Sequence, residues 1–197
     1  MMNLVCFYLV IFLSNIIHGI TGFAGTILAM PFGLMLVGYA TAKPVLNVLG
    51  LLSGIYVFVG FHDSVNWKEL KKIVVVMAAG IVGGILIRGM LAGREQMLYR
   101  ILGIFVILLS IQGLAKQLQI PGSTQRQKDV LIQTHDTPLL YLLLAAAGII
   151  HGIFVSGGPL LIGYLTRKVR DKVSFRATIS TIWIFLNSLI LFEDRKS

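Results

Sequence analysis

Charge is scarce in this chain. Asp, Glu, Lys and Arg make up 13% of its 197 residues, against about 25% in an ordinary soluble domain. With 56% hydrophobic residues and a mean hydropathy of +0.87, there is too little polar surface to cover a globule in water, which excludes a soluble enzyme or binding module. Acidic residues are the scarcest, 8 against 17 Lys and Arg, for a formal net charge of +9. The basic residues sit mostly between apolar runs, so anionic headgroups and the positive-inside bias account for them and no nucleic acid is implied. There is one cysteine, Cys6, so no intrachain disulfide can form; in its apolar run it is expected to serve packing. Asp63, Asp129, Asp136, Asp171 and Asp194 all fall between the apolar runs, and no H-E-x-x-H or G-x-S-x-G occurs. An intramembrane enzyme therefore lacks its usual residues, and the chain reads as a non-enzyme. Residues 1–13 lack a basic leader region and a clear small-residue cleavage site, so they read as a membrane segment.

What the chain does have is long hydrocarbon-like runs. A spanning helix needs about 20 mostly apolar residues. The run from Asn3 to Tyr39 is too long for one span and is interrupted by His18, Gly19, Thr21, Gly22 and Gly25, which predicts two helical pieces meeting at a glycine-rich break. Spans follow at 42–61, 73–91 and 97–115, separated by a polar loop at 62–72 and a tight turn around Gly93-Arg94-Glu95. The hydrophilic stretch 116–137 contains the turn signal Pro121-Gly122-Ser123. A second broken tract covers 138–165, a densely basic connector 166–176, and a last span 177–192. The expected fold is an all-α integral membrane protein, a polytopic helical bundle with broken helices.

The two breaks share a word. Ile16-Ile17-His18-Gly19 returns as Ile149-Ile150-His151-Gly152, a shift of 133 positions from His18 to His151. The same shift sets Gly25 on Gly158, Lys43 on Arg176 and Asn47 on Ser180. A broken tract, a basic residue and a polar-bearing span thus recur in one register, as internal duplication produces. The expected organisation is a first membrane repeat at 1–116, a linker at 117–137 and a partial second repeat at 138–197. The partners of the spans at 73–115 would begin near position 206, past Ser197, so the second repeat is expected to lack its last two spans or to be completed by a partner chain.

If each broken tract is a hairpin, the segments 62–72, 116–137 and 166–176 share one side with eleven Lys and Arg, against six on the other. That places them inside and the N-terminus outside. Three crossings between the hairpins then invert the second half, a recurrent transporter plan.

The pieces Gly19-Ile-Thr-Gly-Phe-Ala-Gly25 with Pro31, and Gly152-Ile-Phe-Val-Ser-Gly-Gly-Pro159, the second followed by Arg176 and a Ser/Thr-bearing helix ending in Asn187-Ser188, resemble the doubled motif of the TauE/SafE family of sulfite and organosulfur exporters. The resemblance runs from the N-terminus to Ser188, and the first break departs from it by reading Gly-Phe-Ala-Gly where a glycine pair would stand. It implies a secondary carrier in the bacterial cell membrane that moves a small anion such as sulfite or an organosulfonate, in a family that typically has about eight spans in two halves. A channel, and a non-transporting or partner-completed membrane subunit, are the alternatives.

Unwound backbone in a membrane must be shielded inside protein or line a watery cavity. Glycine lets N–H groups approach a ligand, and the half-helix that follows presents its positive end to an anion. The expected substrate-binding set is therefore His18, Gly19, Thr21, Gly22, Gly25, Asn47, His151, Gly152, Ser156, Gly157, Gly158, Ser180 and Asn187, with the N–H groups of 22–26 and 156–158 forming a cradle and the Thr21 and Ser156 hydroxyls adding donors. His18 and His151 are the ionisable groups at the breaks. Imidazole titrates near neutrality and can couple anion binding to a proton. Two histidines without a third ligand do not make a metal site, and no cofactor is implied. The expected surroundings are the lipid bilayer and the anion; proton or sodium coupling and homo-oligomerisation are left open. Lys43 and Arg176 are expected to anchor helix ends at headgroups, with attraction of anions at the mouths as the alternative, and Trp67 and Tyr39 to sit at the interface.

Overall fold

The computed structural model describes residues 2–21, 24–91, 93–118 and 138–194. The first apolar tract forms α1 (Met2–Thr21) and α2 (Ala24–Val37). Then come α3 (Tyr39–Phe61), a short 3-10 turn at His62–Ser64, α4 (Trp67–Met90) and α5 (Glu95–Leu118). The second tract forms α6 (Pro138–Phe154) and α7 (Gly158–Lys168), and α8 (Lys172–Asp194) closes the described chain. There are no strands among the described residues. Among the described residues, five helical stretches are long and apolar enough to cross a membrane: Met2–Thr21, Tyr39–Ser64, Trp67–Met90, Gln96–Leu114 and Lys172–Glu193. The protein is an all-α polytopic membrane protein.

The helices extend past the apolar runs because polar residues cap them. The polar loop expected at 62–72 is shorter than that: Asn66 caps α4 by accepting the Glu69 N–H at 3.2 Å, so Lys68, Lys71 and Lys72 ride on the helix. The connector expected at 166–176 shrinks to 169–171, because Asp171 accepts the Ser174 N–H at 2.7 Å and starts α8. Cys6 is exposed on α1 and does not serve core packing. Most of the expected linker, residues 119–137, lies outside the described residues.

Close approaches at glycine fix the helix directions. Gly25 packs on His18 and Gly33 on Phe7, so α1 and α2 are antiparallel. The chain turns at Gly38, whose φ of 78° is a conformation that glycine adopts without a Cβ clash. Gly33 also meets Ala42, so α3 runs back along α2. Gly50 faces Asn187 and Gly54 faces Ser180, so α3 and α8 cross antiparallel. Gly80 and Gly84 of α4 interdigitate with Gly148 and Gly152 of α6, which makes that pair parallel. A Cβ on Gly152 would stand 2.7 Å from the Ile81 carbonyl; small residues here let two backbones touch, the usual source of helix association in lipid. Gly157 packs on His151 and Gly163 on Leu143, so α6 and α7 form a second antiparallel hairpin.

Following these directions, the α1–α2 hairpin enters the bundle from the end that carries Gly38. The α6–α7 hairpin enters from the end that carries 62–66 and 169–171. The buried side chains form two clusters, one among α4, α6, α7 and α8. The other joins Phe7, Met30, Leu34, Leu46, Leu98 and Leu102, and into it insert Ile153 and Phe154 from the tip of the second hairpin.

Candidate functional site

At the first break, α1 ends in residues that turn their polar atoms back onto its own carbonyls. Asn15 Nδ2 donates to Ile11 O at 2.8 Å and the Thr21 hydroxyl to Ile17 O at 2.8 Å, the local bonding that Ser, Thr and Asn favour near helix ends. His18 is buried, and its Nδ1 accepts the Gly25 N–H at 3.3 Å. In the neutral ring the proton therefore sits on Nε2. Any Cβ at Gly25 would lie 2.8 Å from that of His18, so the bond needs glycine there.

The second break is built differently. Val155 ends α6 with φ at 54°, a left-handed conformation that is a genuine outlier for a β-branched side chain. Gly157 then caps α7, with Pro159 in its first turn. The glycine packed on the histidine here is Gly157, whose Cβ would stand 2.9 Å from that of His151. Duplication would pair Gly158 with Gly25; the contact to the histidine is made one residue earlier, and to its Cβ.

His151 is 1% exposed. Its Nε2 lies 3.0 Å from Asn187 Oδ1, and its ring stacks on Trp183 with centroids 5.1 Å apart and planes at 25°. With Asn187 Oδ1 as acceptor, Nε2 carries the proton and Nδ1 keeps its lone pair. That Nδ1 and Asn47 Oδ1 are both buried without a hydrogen-bond partner among the described residues. Asn47 itself donates from Nδ2 to the Asn187 carbonyl at 3.1 Å, tying α3 to α8 where they cross.

One narrow cavity of about 10 Å³ is lined by His18, Thr26, Gly50, His151, Val155, Trp183 and Asn187. The structure thus brings both histidines, Asn187 and the start of α2 to the α3–α8 crossing. Other expected residues face elsewhere. Gly152 packs on α4. The Ser156 hydroxyl donates to Phe154 O at 2.9 Å, and the Thr21 hydroxyl is turned to Ile17, so neither is arranged as the anion donor expected of it. Ser180 is buried on α8, where its carbonyl packs against Gly54. Gly158 opens α7. Gly22 lies outside the described residues.

The ends of α1 and α6 are tied by side chains far away in the sequence. Arg176 Nη2 donates to Gly19 O at 2.7 Å, and the Tyr39 hydroxyl donates to Ile153 O. Arg176 and Tyr39, expected as anchors at the interface, each supply a donor to a carbonyl that a helix end leaves open. Lys43 is buried, 2% exposed, with Nζ 3.6 Å from Glu193 Oε2, and Arg88 pairs with the same carboxylate. In a low-dielectric interior a lysine at that depth needs such a counter-charge.

Sequence reasoning missed Trp183, Gly50 and Val155. Trp183 stands four residues before Asn187, on the same helical face, and that spacing was the available signal. No local pattern marks Arg88 and Glu193, 105 positions apart, as a pair.

These helices and hairpins define a multi-span all-α membrane protein. Residues 7–192 match the family described as Sulfite exporter TauE/SafE, and the chain belongs to that family. No curated protein and no solved structure matches the chain individually.

Proposed function

We propose that the chain is a secondary carrier that moves a small anion, sulfite or an organosulfonate, across the bacterial cell membrane, with His18 and His151 as the coupled pair at its centre. The observation that carries this reading is that the two hairpins enter from opposite ends and bring both histidines to one cavity. At about 10 Å³ that cavity has room for about one water, so an anion passes only if the hairpins part. Such a barrier suits alternating access better than an open pore. Descent from two inverted halves, 1–116 and 138–197, fits the opposed hairpins and the crossed ties at Gly19 and Ile153. The bare Nδ1 of His151 is the acceptor at which this reading places the coupling proton, taken up when the hairpins part and water reaches the ring. The more basic end of the bundle faces the cytoplasm in this reading.

The test is sulfite flux into proteoliposomes under an imposed pH gradient and, separately, a sodium gradient. Flux should follow the pH gradient and fall at least tenfold in His18→Ala and in His151→Ala. Flux unchanged in both variants would sink the histidine-coupling reading. Sodium-driven flux that ignores pH would move the coupling to another ion.

A further inference from the structure

We infer that an open cavity at the end of the bundle carrying 62–66 and 169–171 is a recognition site for an organic anion, a negatively charged group on a short hydrocarbon body. It rests on the transport reading only in supposing that anions approach from this end. The cavity measures about 660 Å³ and is formed where the ends of α1, α3 and α7 meet the start of α8. That volume is in the range of small-molecule sites and far exceeds the space between the histidines.

Its lining joins two chemistries. Arg170, Lys172 and Arg176 contribute three cations, and among the described residues no acidic side chain lines it. The Asp171 carboxylate, between Arg170 and Lys172 in sequence, accepts the Ser174 N–H. The remaining wall is largely apolar, with Phe61, Val173 and Phe175. An inorganic anion would answer the positive charge alone and leave the aromatic wall against water. An anion with a hydrocarbon body satisfies both, and burying its methylenes adds hydrophobic free energy to the charge attraction.

Arg176 joins this cavity to the first break. It lines the cavity while its Nη2 holds the carbonyl of Gly19, next to His18. Its Nε is buried and has no acceptor among the described residues. A charged acceptor outcompetes a neutral carbonyl for a guanidinium. An anion seated here therefore draws Arg176 from Gly19 and loosens the end of α1 beside the histidine.

The experiment titrates acetate, butyrate and hexanoate, with sulfite for comparison, into the full chain held in phosphatidylcholine nanodiscs. Heat of binding is read against empty discs. Affinity should rise severalfold per added methylene, up to about fourfold for one fully buried. Phe61→Ala and Phe175→Ala should flatten the series while leaving acetate unchanged, and Arg176→Gln should weaken every member at least tenfold. Melting temperatures identify any variant that fails to fold; the Phe variants carry the test if Arg176→Gln does. Adding phosphatidylglycerol to the discs separates the two sources of this chemistry. Competitive loss of hexanoate binding assigns the site to anionic lipid, and unchanged binding assigns it to a soluble anion. Affinity independent of chain length, or a chain-length dependence that survives in both Phe variants, overturns the inference. Sulfite flux is measured on the same variants: an intact series in a protein without flux sinks the transport reading and leaves the site standing.

Discussion

Asn187 holds His151 from one side while Asn47 holds Asn187 from the other. The Asn187 side-chain oxygen lies 3.0 Å from His151 Nε2, and its backbone carbonyl accepts from Asn47 Nδ2 at 3.1 Å. Three helices, α3, α6 and α8, are thereby joined through one residue in the middle of the bundle. All three side chains are buried, so each bond is made where water cannot replace it.

Replacing Asn187 by Leu leaves the Nε2–H of His151 buried without an acceptor. Such a group costs about 1–3 kcal/mol. The expected outcome is a lower melting temperature in detergent and sulfite flux reduced at least tenfold, read on the same preparation. Unchanged melting would show that the ring finds another acceptor.

The glycines at the breaks should differ sharply in tolerance. A Cβ at Gly25 or at Gly157 falls within 2.9 Å of the neighbouring histidine Cβ, whereas a Cβ at Gly19 meets nothing within 4 Å. Gly25→Ala and Gly157→Ala should each displace a histidine and depress flux; Gly19→Ala should transport normally. Equal effects at all three positions would contradict this packing.

Glu193 neutralises two cations. Glu193→Gln leaves Lys43 deeply buried and Arg88 without its carboxylate. Breaking a buried pair by removing one partner destabilises by about 3–5 kcal/mol, and the partial exposure of Glu193 sets the expectation at the lower end. Thermal unfolding should detect the loss, and Lys43→Met in the Glu193→Gln background should recover part of it, since an apolar side chain of similar length needs no counter-charge.

Ser156→Ala should be nearly silent in flux. Its hydroxyl proton is taken by Phe154 O, so the cavity loses no donor. A large drop in sulfite flux with melting unchanged would show that this hydroxyl turns toward the anion during transport.

Much of this was legible in order along the chain. Apolar runs and their interruptions gave the helices, since membrane thickness fixes span length and glycine, histidine and proline mark where a span is cut. Helix ends were less legible. Asn66 and Asp171 start helices through single side-chain bonds, which hydropathy does not register. The repeated Ile-Ile-His-Gly drew attention to both histidines, because it sits in the local sequence.

What each histidine touches was decided only by tertiary structure. The partners of His151, Trp183 and Asn187, arrive on α8, which starts 18 positions past the end of the helix that carries the histidine. Lys43 looks like a headgroup anchor until Glu193 is folded against it. Composition determines which solvent a chain must live in and where its backbone is interrupted, because those depend on residues close in sequence. Which buried polar atom meets which depends on how helices cross, and that crossing is set by small residues such as Gly50 and Gly54, whose missing side chains say how near a neighbour comes but not which one.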